Sequence, residues 1–338
     1  MKKIAFIGHD LKFINHIIEF FRNHGGYEVK TDEWQGHEAH NEAKSMEIVE
    51  WADILFCEWG LGNVVWYQER KKEHQKLIVR LHRFEMDTKY VKMFDYSKID
   101  MCIAISPYIY EEFYRVAKVP REKMKVIFNA IDTKRFDKPK KAKTNFNLGI
   151  IGYVPKLKRL DRAVDIFEKL YAKDNRYKLF IKGKHPKDFG WVWDNAEQRE
   201  HYEAIFERIE KSEYKKNVVF EGWGDVADWL QNVGYVLSVS DYESFHMAPI
   251  EGMASGAVPI VLRREGVNTI FPQQFIFESH DEAVEYILKG QLVDVEMLKG
   301  FVSSNYDLTV VCKELEALLY GENPKTIAGE KHENITQK

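Results

Sequence analysis

Two hydrophobic rhythms alternate along the chain. Ile4–Ile7 is a short apolar run that ends at Gly8. Leu11, Ile14, Ile17, Ile18 and Phe21 then recur at helical spacing until Gly25 and Gly26 interrupt them. Ile54–Cys57, Leu77–Leu81, Met101–Ile105 and Lys125–Phe128 read as further strands, with helices predicted near 41–51, 61–74, 88–97 and 107–117. A polar, basic stretch runs from Lys134 to Lys143, and beyond it the alternation restarts. Strands are predicted at Asn147–Ile151, Lys178–Ile181, Val218–Phe220, Tyr235–Val239 and Val258–Leu262. Helices are predicted at 158–173, 195–213, about 248–255, 281–289, 293–301 and 307–320. Buried runs alternating with amphipathic helices indicate parallel α/β sheets. A length of 338 residues suggests about two domains. The expected fold is therefore α/β, with two doubly wound, Rossmann-like domains and a cleft between them. The expected boundaries are an N-terminal domain over 1–137, a linker over 138–146, a second domain over 147–304 and a frayed tail over 321–338. Ligands of such sheets bind outside the carboxyl ends of the strands, so the loops after the strands hold the candidate chemistry.

Composition narrows the function. Fifty basic against 53 acidic residues give a net charge of −3, and no segment forms a basic module, so nucleic acid is not an expected partner. The Lys134–Lys143 run reads as a solvated linker, with peripheral contact to an anionic membrane as the alternative. Phe13, Ile17, Phe20 and Phe21 read as core rather than as a membrane-facing stripe. Three scattered cysteines, Cys57, Cys102 and Cys312, make neither a disulfide framework nor a zinc pair, which fits a reducing compartment. The apolar stretch at the start falls short of the about 7–15 residues of a signal peptide. No run approaches the roughly 20 residues of a membrane span, so a cytoplasmic location is expected. Aromatics are abundant, with 8 Trp, 17 Tyr and 21 Phe. Aromatic faces grip flat apolar surfaces such as sugar rings and bases. Trp59, Trp66, Tyr67, Trp191 and Trp193 are candidates for such contact, against core packing.

Chemistry concentrates in Ser240–Ile260. The stretch opens at the end of a buried strand and enters a helix carrying Pro249 in its first turn, where a missing N–H costs little. The amides of Phe245, His246 and Met247 would face out of that helix N-terminus, an anion site. Glu243 and Glu251 lie on either side of the turn. Carboxylates accept strongly from hydroxyls, so anion site and carboxylates together suit a sugar nucleotide.

This stretch resembles the signature of retaining glycosyltransferases of the GT-B fold, glycosyltransferase family 4: a Glu, seven residues, a second Glu, then Met-Ala-x-Gly-x-x-Pro. Val126–Phe136, with Asn129-Ala130-Ile131-Asp132, is similar to the family's Asn-Gly-Val-Asp segment. Ile151–Asp161 is similar to the strand and loop that bind the donor pyrophosphate. The resemblance implies a metal-independent, retaining hexosyltransferase without cofactor. Its donor would be a nucleoside diphosphate sugar, by family habit UDP-linked. Its acceptor would be a glycan, lipid-linked or small-molecule hydroxyl. Glu251 would hold the ribose, Glu243 the transferred sugar, and Phe245, His246 and Met247 would offer amides. Gly152 would belong to the pyrophosphate loop, and Lys158 would neutralise the leaving pyrophosphate, which a fixed cation does well away from water. The departing phosphate would itself take the acceptor's proton. His82, at the end of the Leu77–Leu81 strand, would sit near the donor sugar, and Gly8 would occupy the place of a Gly-rich loop. The helix over 305–320 would cross back to the first domain.

Four positions depart from the family pattern. Tyr153 stands where the family has a phosphate-clamping Arg, Arg159 where it has Gly, and Ser244 and His246 replace the glycines of Glu-Gly-Phe-Gly. Arg263 or Arg264, after the Val258–Leu262 strand, is the expected substitute for the missing clamp, against a reading of both as exposed charges. Loss of the clamp also keeps open a catalytically silent relative acting as partner or chaperone of an active glycosyltransferase. A glycoside phosphorylase is disfavoured because no pyridoxal phosphate lysine motif is present. Asp241-Tyr242-Glu243 superficially resembles a metal-binding Asp-x-Asp triplet, but the two-domain pattern and Glu–Glu spacing argue against it. Neither a Walker motif nor a Gly-x-Gly-x-x-Gly run occurs.

Overall fold

The computed structural model describes residues 1–290 and 292–320; the expected frayed tail at 321–338 lies outside the described residues. The chain divides into two units, Met1–Ala130 with the C-terminal segment from Leu308, and Ile131–Asp307.

The first unit is built on β1 (Lys2–Gly8), β2 (Tyr27–Glu33), β3 (Ile54–Glu58), β4 (Lys76–Leu81), β5 (Met101–Ala104) and β6 (Met124–Val126). All pairings are parallel, in the order β2-β1-β3-β4-β5-β6. Helices α1 (Asn15–Asn23), α2 (Glu42–Trp51), α3 (Gly62–Arg70) and α4 (Pro107–Ala117) connect them. β3 is buried along all five residues, as its unbroken apolar run requires of a central parallel strand. The helix starts follow capping chemistry: Asn41 Oδ1 accepts from Lys44 N–H, and Ser106 Oγ accepts from Ile109 N–H ahead of Pro107. β2 was not expected. It is an edge strand reading Tyr-Glu-Val-Lys-Thr-Asp-Glu, and its polar face hides it from a search for buried runs. The helix expected at 88–97 is instead two short 3-10 turns, Arg83–Asp87 and Tyr90–Met93.

The second unit carries α5 (Thr133–Phe136), β7 (Asn147–Ile151), α6 (Leu160–Tyr171), β8 (Lys178–Lys182), α7 (Gly190–Trp193), α8 (Ala196–Glu210), β9 (Val218–Phe220), α9 (Val226–Leu230), β10 (Tyr235–Ser238), α10 (Met247–Ala254), β11 (Val258–Leu262), β12 (Ile276–Phe277), α11 (His280–Lys289) and α12 (Val295–Tyr306). Its sheet is also parallel, in the order β12-β11-β10-β7-β8-β9. The final helix, α13 (Leu308–Tyr320), belongs to the first unit. It buries Val311, Cys312, Leu315 and Leu319 in the same cluster as Ile14, Ile17 and Phe21 of the first unit.

The basic stretch 134–143 is mostly exposed but belongs to the second unit, which begins at Ile131, ahead of the expected boundary at 137, and two of its lysines have partners there. Lys138 pairs with Asp228 at 2.5 Å. Lys140 Nζ donates to Leu230 O, Val233 O and Ser255 Oγ at 2.8–2.9 Å. Phe13, Ile17 and Phe21 also separate: Ile17 and Phe21 are core, while the Phe13 ring lies 6.0 Å from that of Trp59. Among the described residues the three cysteines are buried and form no disulfide. Among the described residues no helix is long and apolar enough to cross a membrane.

In both sheets the strand order reverses once, between β1 and β3 and between β10 and β7. Adjacent strands there send their loops to opposite sides, which opens a crevice at their carboxyl ends. The first of these crevices needs a glycine. A Cβ at Gly8 would come within 2.7 Å of Glu58 O. Gly8→Ala is expected to destabilise the protein by about 1–3 kcal/mol, as overpacking does. Gly25→Ala, whose Cβ meets nothing within 4 Å, is expected to stay within about 0.5 kcal/mol of wild type. Urea midpoints of the two variants check this.

Candidate functional site

In the second unit the reversal lies between β7 and β10, and the candidate residues gather there. Lys158, after β7, and Glu243, after β10, form an ion pair at 2.7 Å. Ser240 Oγ donates to the same carboxylate oxygen at 2.8 Å. His246 Nε2 stands 3.5 Å from it, and His246 Nδ1 is 2.7 Å from Ser238 Oγ. Burial works against charge on Glu243, but His246, Lys158 and Arg264 outweigh it and hold the carboxyl at about 2. Burial drives His246 down to about 3 against the pull of Glu243, so its imidazole is neutral at pH 7. Burial also lowers Arg264 to about 10, which leaves it a cation. The cluster thus presents two cations, one carboxylate and one neutral imidazole.

The two arginines weighed for the missing clamp are separated by the fold. Arg263 turns outward to Glu278 at 2.8 Å. Arg264 turns inward, its Nη1 3.4 Å from Ser238 O, and its charge acts on Glu243 and His246. Tyr153 does not replace a clamp: it is core, and its ring lies 6.0 Å from that of Phe220.

Two of the three glycine replacements keep glycine's backbone. Arg159 has φ 55° and ψ 56°, and His246 has φ 65° and ψ 83°. Arg159 is held there by bonds to Asp161 at 2.7–3.2 Å and to Asp241 at 2.8 Å. His246 is held by Ser238. Ion pairs and a hydrogen bond offset a conformation that costs an L-residue about 1–2 kcal/mol. Helix α10 then begins at Met247, with Phe245 packed at right angles to Tyr306, 5.1 Å between ring centres.

Glu251 lies on α10 apart from this cluster. Burial pushes its carboxyl up to about 7, with Arg135 pulling the other way. Gly152, at φ 71°, ends β7, and its N–H donates to Lys182 O at 2.8 Å.

The first unit holds a second charged cluster next to its own reversal. His82 is buried, its ring stacked on Trp59 at 4.0 Å and its Nε2 2.9 Å from Glu58 Oε1. Arg80 donates to the same oxygen and to Asn129 Oδ1, each at 2.5 Å. Burial would raise Glu58, but Arg80 and His82 hold it below the ordinary carboxylate value. Burial lowers His82. Glu85 accepts from the backbone N–H groups of Gly60 and His82, yet burial raises it to about 8. Trp59, at φ 66°, donates from Nε1 to Asp10 O at 3.0 Å and so joins the loops after β1 and β3. Gly8 contributes close approach there, not a Gly-rich loop.

Sequence reasoning missed Glu58, Arg80, Asn129, Ser238, Ser240 and Arg135. Glu58 and Arg80 are direct partners in the β3–β4 register. Opposite charges inside two successive apolar strands were the signal for that pair. Trp66 and Tyr67 lie elsewhere: Tyr67 is core and donates to Asp32 at 2.7 Å. Trp193 packs against the second core, and Trp191 is exposed. Among the described residues no group of three or more His, Cys, Asp or Glu side chains is placed to hold a metal ion.

Residues 131–290 match the family described as "Glycosyl transferases group 1". Comparison with curated proteins yields no match. Solved structures share the fold over nearly the whole chain. HepE from Anabaena, crystallised with UDP and with UDP-glucose, aligns with a TM-score of 0.68 in the UDP complex at 15% identity, covering 95% of this chain and 100% of that one. A glycosyltransferase from Rickettsia africae gives 0.73 at 12% identity, covering 96% and 99%. Sucrose-phosphate synthase from Thermosynechococcus elongatus gives 0.71 at 15% identity, covering 95% and 99%. The two parallel sheets with flanking helices are thus of the GT-B type.

The free site has a cost that can be measured. Glu251 has a folded value near 7 against an ordinary 4.5. Its burial therefore destabilises the protein above pH 7 and ceases to do so below about 4.5. At about 1.4 kcal/mol per pKa unit the full shift corresponds to about 3–4 kcal/mol, of which Glu251→Gln, still a polar amide in the same place, is expected to recover about 1–2 kcal/mol at pH 8 and less at pH 5. Urea midpoints at the two pH values check this. Equal or lower stability of the variant at pH 8 would contradict the assignment.

Proposed function

We propose that the protein is a retaining, metal-independent glycosyltransferase that moves a hexose from a nucleoside diphosphate sugar to a hydroxyl acceptor. The observation that carries the reading is the Lys158–Glu243–His246–Arg264 cluster at the strand-order reversal. It falls within the residues that match the glycosyl transferases group 1 family. The UDP and UDP-glucose complexes of HepE favour a uridine donor and a hexose. The acceptor class stays as broad as glycan, lipid-linked or small molecule.

The roles follow from charge. Cleavage of the sugar–phosphate bond leaves negative charge on pyrophosphate, which Lys158 and Arg264 are placed to receive. Arg264 takes the part of the family's missing clamp. Positive charge develops on the sugar as in glycoside hydrolysis, and Glu243, ionised at pH 7, favours it while accepting hydroxyls. In the free protein Lys158 is neutralised by Glu243, so donor binding exchanges that partner for phosphate. Glu251 accepts from the ribose, and the α10 start offers the amides of Phe245, His246 and Met247. His82 keeps the role the resemblance implies for it, a hydrogen bond to the donor sugar, with its Nε2 committed to Glu58. Retention leaves the acceptor's proton to the departing phosphate, so no protein nucleophile is required.

Thermal-shift binding of uridine, guanosine and adenosine diphosphates and their sugars tests the reading. A ligand confined to the folded state stabilises it by about 2.7 kcal/mol at a hundred times its dissociation constant. A shift with UDP or UDP-hexose, lost in Glu251→Ala, is expected. No shift with any donor would overturn the reading and favour a silent relative. Arg264→Ala is expected to weaken donor binding while Arg263→Ala leaves it unchanged. Lys158→Ala is expected to lower kcat by about 100- to 1,000-fold, the loss typical of one charge-stabilising group.

A further inference from the structure

Trp223 lies in water. It is 78% exposed, more than any other described aromatic residue given as exposed, although a tryptophan gains much from cover. Its place makes the exposure informative. It follows β9, between Gly222 at φ 63° and Gly224. Gly222 O accepts from Gly183 N–H at 2.9 Å, which ties this loop to the end of β8. Gly152 N–H donates to Lys182 O at 2.8 Å, which ties β8 to the loop after β7. The loops of three adjacent strands thus lie side by side at the carboxyl edge, the first carrying Gly152 and Lys158.

The loop is anchored on its other side too. Asp225 accepts from Asp228 N–H and pairs with Arg135 at 2.8 Å. Arg135 is also the cation whose charge acts on Glu251. The loop of Trp223 therefore lies beside those that follow β8 and β7, the latter carrying Lys158, and its Asp225 pairs with the cation that acts on the carboxylate assigned to ribose. From β7 to β9 is two strand spacings, about 10 Å. Ribose with its 5′ phosphate bridges such a gap between a base and a second phosphate. Lys184 Nζ, 5.9 Å from the Trp223 ring centre, adds a cation at the rim.

We propose that Trp223 is the platform on which the base of the bound nucleoside diphosphate stacks. The inference rests on the donor-binding reading above and assigns that site's base-contacting side chain. Any base has a face to stack, so Trp223 supplies affinity and leaves the choice of base to other groups.

The test uses the full chain as wild type, Trp223→Phe and Trp223→Ala, titrated calorimetrically with UDP and separately with inorganic pyrophosphate. Alanine is expected to weaken UDP binding by about 5- to 150-fold, the range measured for base–aromatic stacking, and phenylalanine to retain most of the affinity. Pyrophosphate binding is expected to be equal in all three. UDP is expected to quench tryptophan emission of the wild type and much less that of Trp223→Phe. UDP affinity in Trp223→Ala equal to wild type would overturn the platform and leave the donor site standing. A parallel loss of pyrophosphate affinity would assign the effect to the loop and overturn it as well. A wild type that binds none of UDP, GDP and ADP would overturn the donor reading and the platform with it.

Discussion

Lys158 and Glu243 are 85 residues apart, and their ion pair exists because β7 and β10 are neighbours in the sheet. The strand order reverses between them, so their following loops diverge and leave a crevice that no connection covers. Each ingredient of the candidate site depends on this. The loop after β7 brings Lys158, the loop after β10 brings Glu243 and His246, and the end of β11 brings Arg264. The amides at the start of α10 face the same edge. A sheet with unreversed order would scatter these groups.

In the first unit the β3–β4 pairing, next to that unit's reversal, gathers a different charge set. There Glu58, Arg80 and His82 form a buried, hydrogen-bonded group roofed by Trp59. Removing one member would strand the others, since a buried charge without its partner costs far more than the pair contributes. The second unit's cluster is more open, with Lys158 and Glu243 both touching solvent. One cluster holds a ring in place, and the other leaves its ion pair within reach of solvent. Glu251 stands apart from both: desolvation raises its carboxyl to about 7, near neutrality.

Departures from a family pattern gain meaning once the backbone is seen. Arg159 and His246 stand where the related pattern has glycine, and both hold positive φ. The turn geometry survives because polar contacts, Arg159 to Asp161 and Asp241 and His246 to Ser238, compensate the strain. Tyr153 is the opposite case. Its ring has joined the core, and the cation nearest Glu243 from another strand end is Arg264, the group proposed above for the clamp's part.

Much was legible in the sequence itself. Apolar runs alternating with helix-spaced residues determined two parallel α/β units, because central strands must be apolar on both faces. The turn into α10 and the two glutamates around it were readable because capping and spacing are local. The edge strand β2 was not, since an edge is stabilised by pairing on one side and tolerates polar residues. Nor was the anchoring of Lys138 and Lys140, which read as solvated charge until acceptors from distant residues met them. The choice of Arg264 over Arg263 was left open by adjacency in the chain. Only the tertiary structure shows that Arg263 meets Glu278 while Arg264 faces Glu243, because neighbouring residues leaving a strand point in opposite directions and what each one meets is set by other strands.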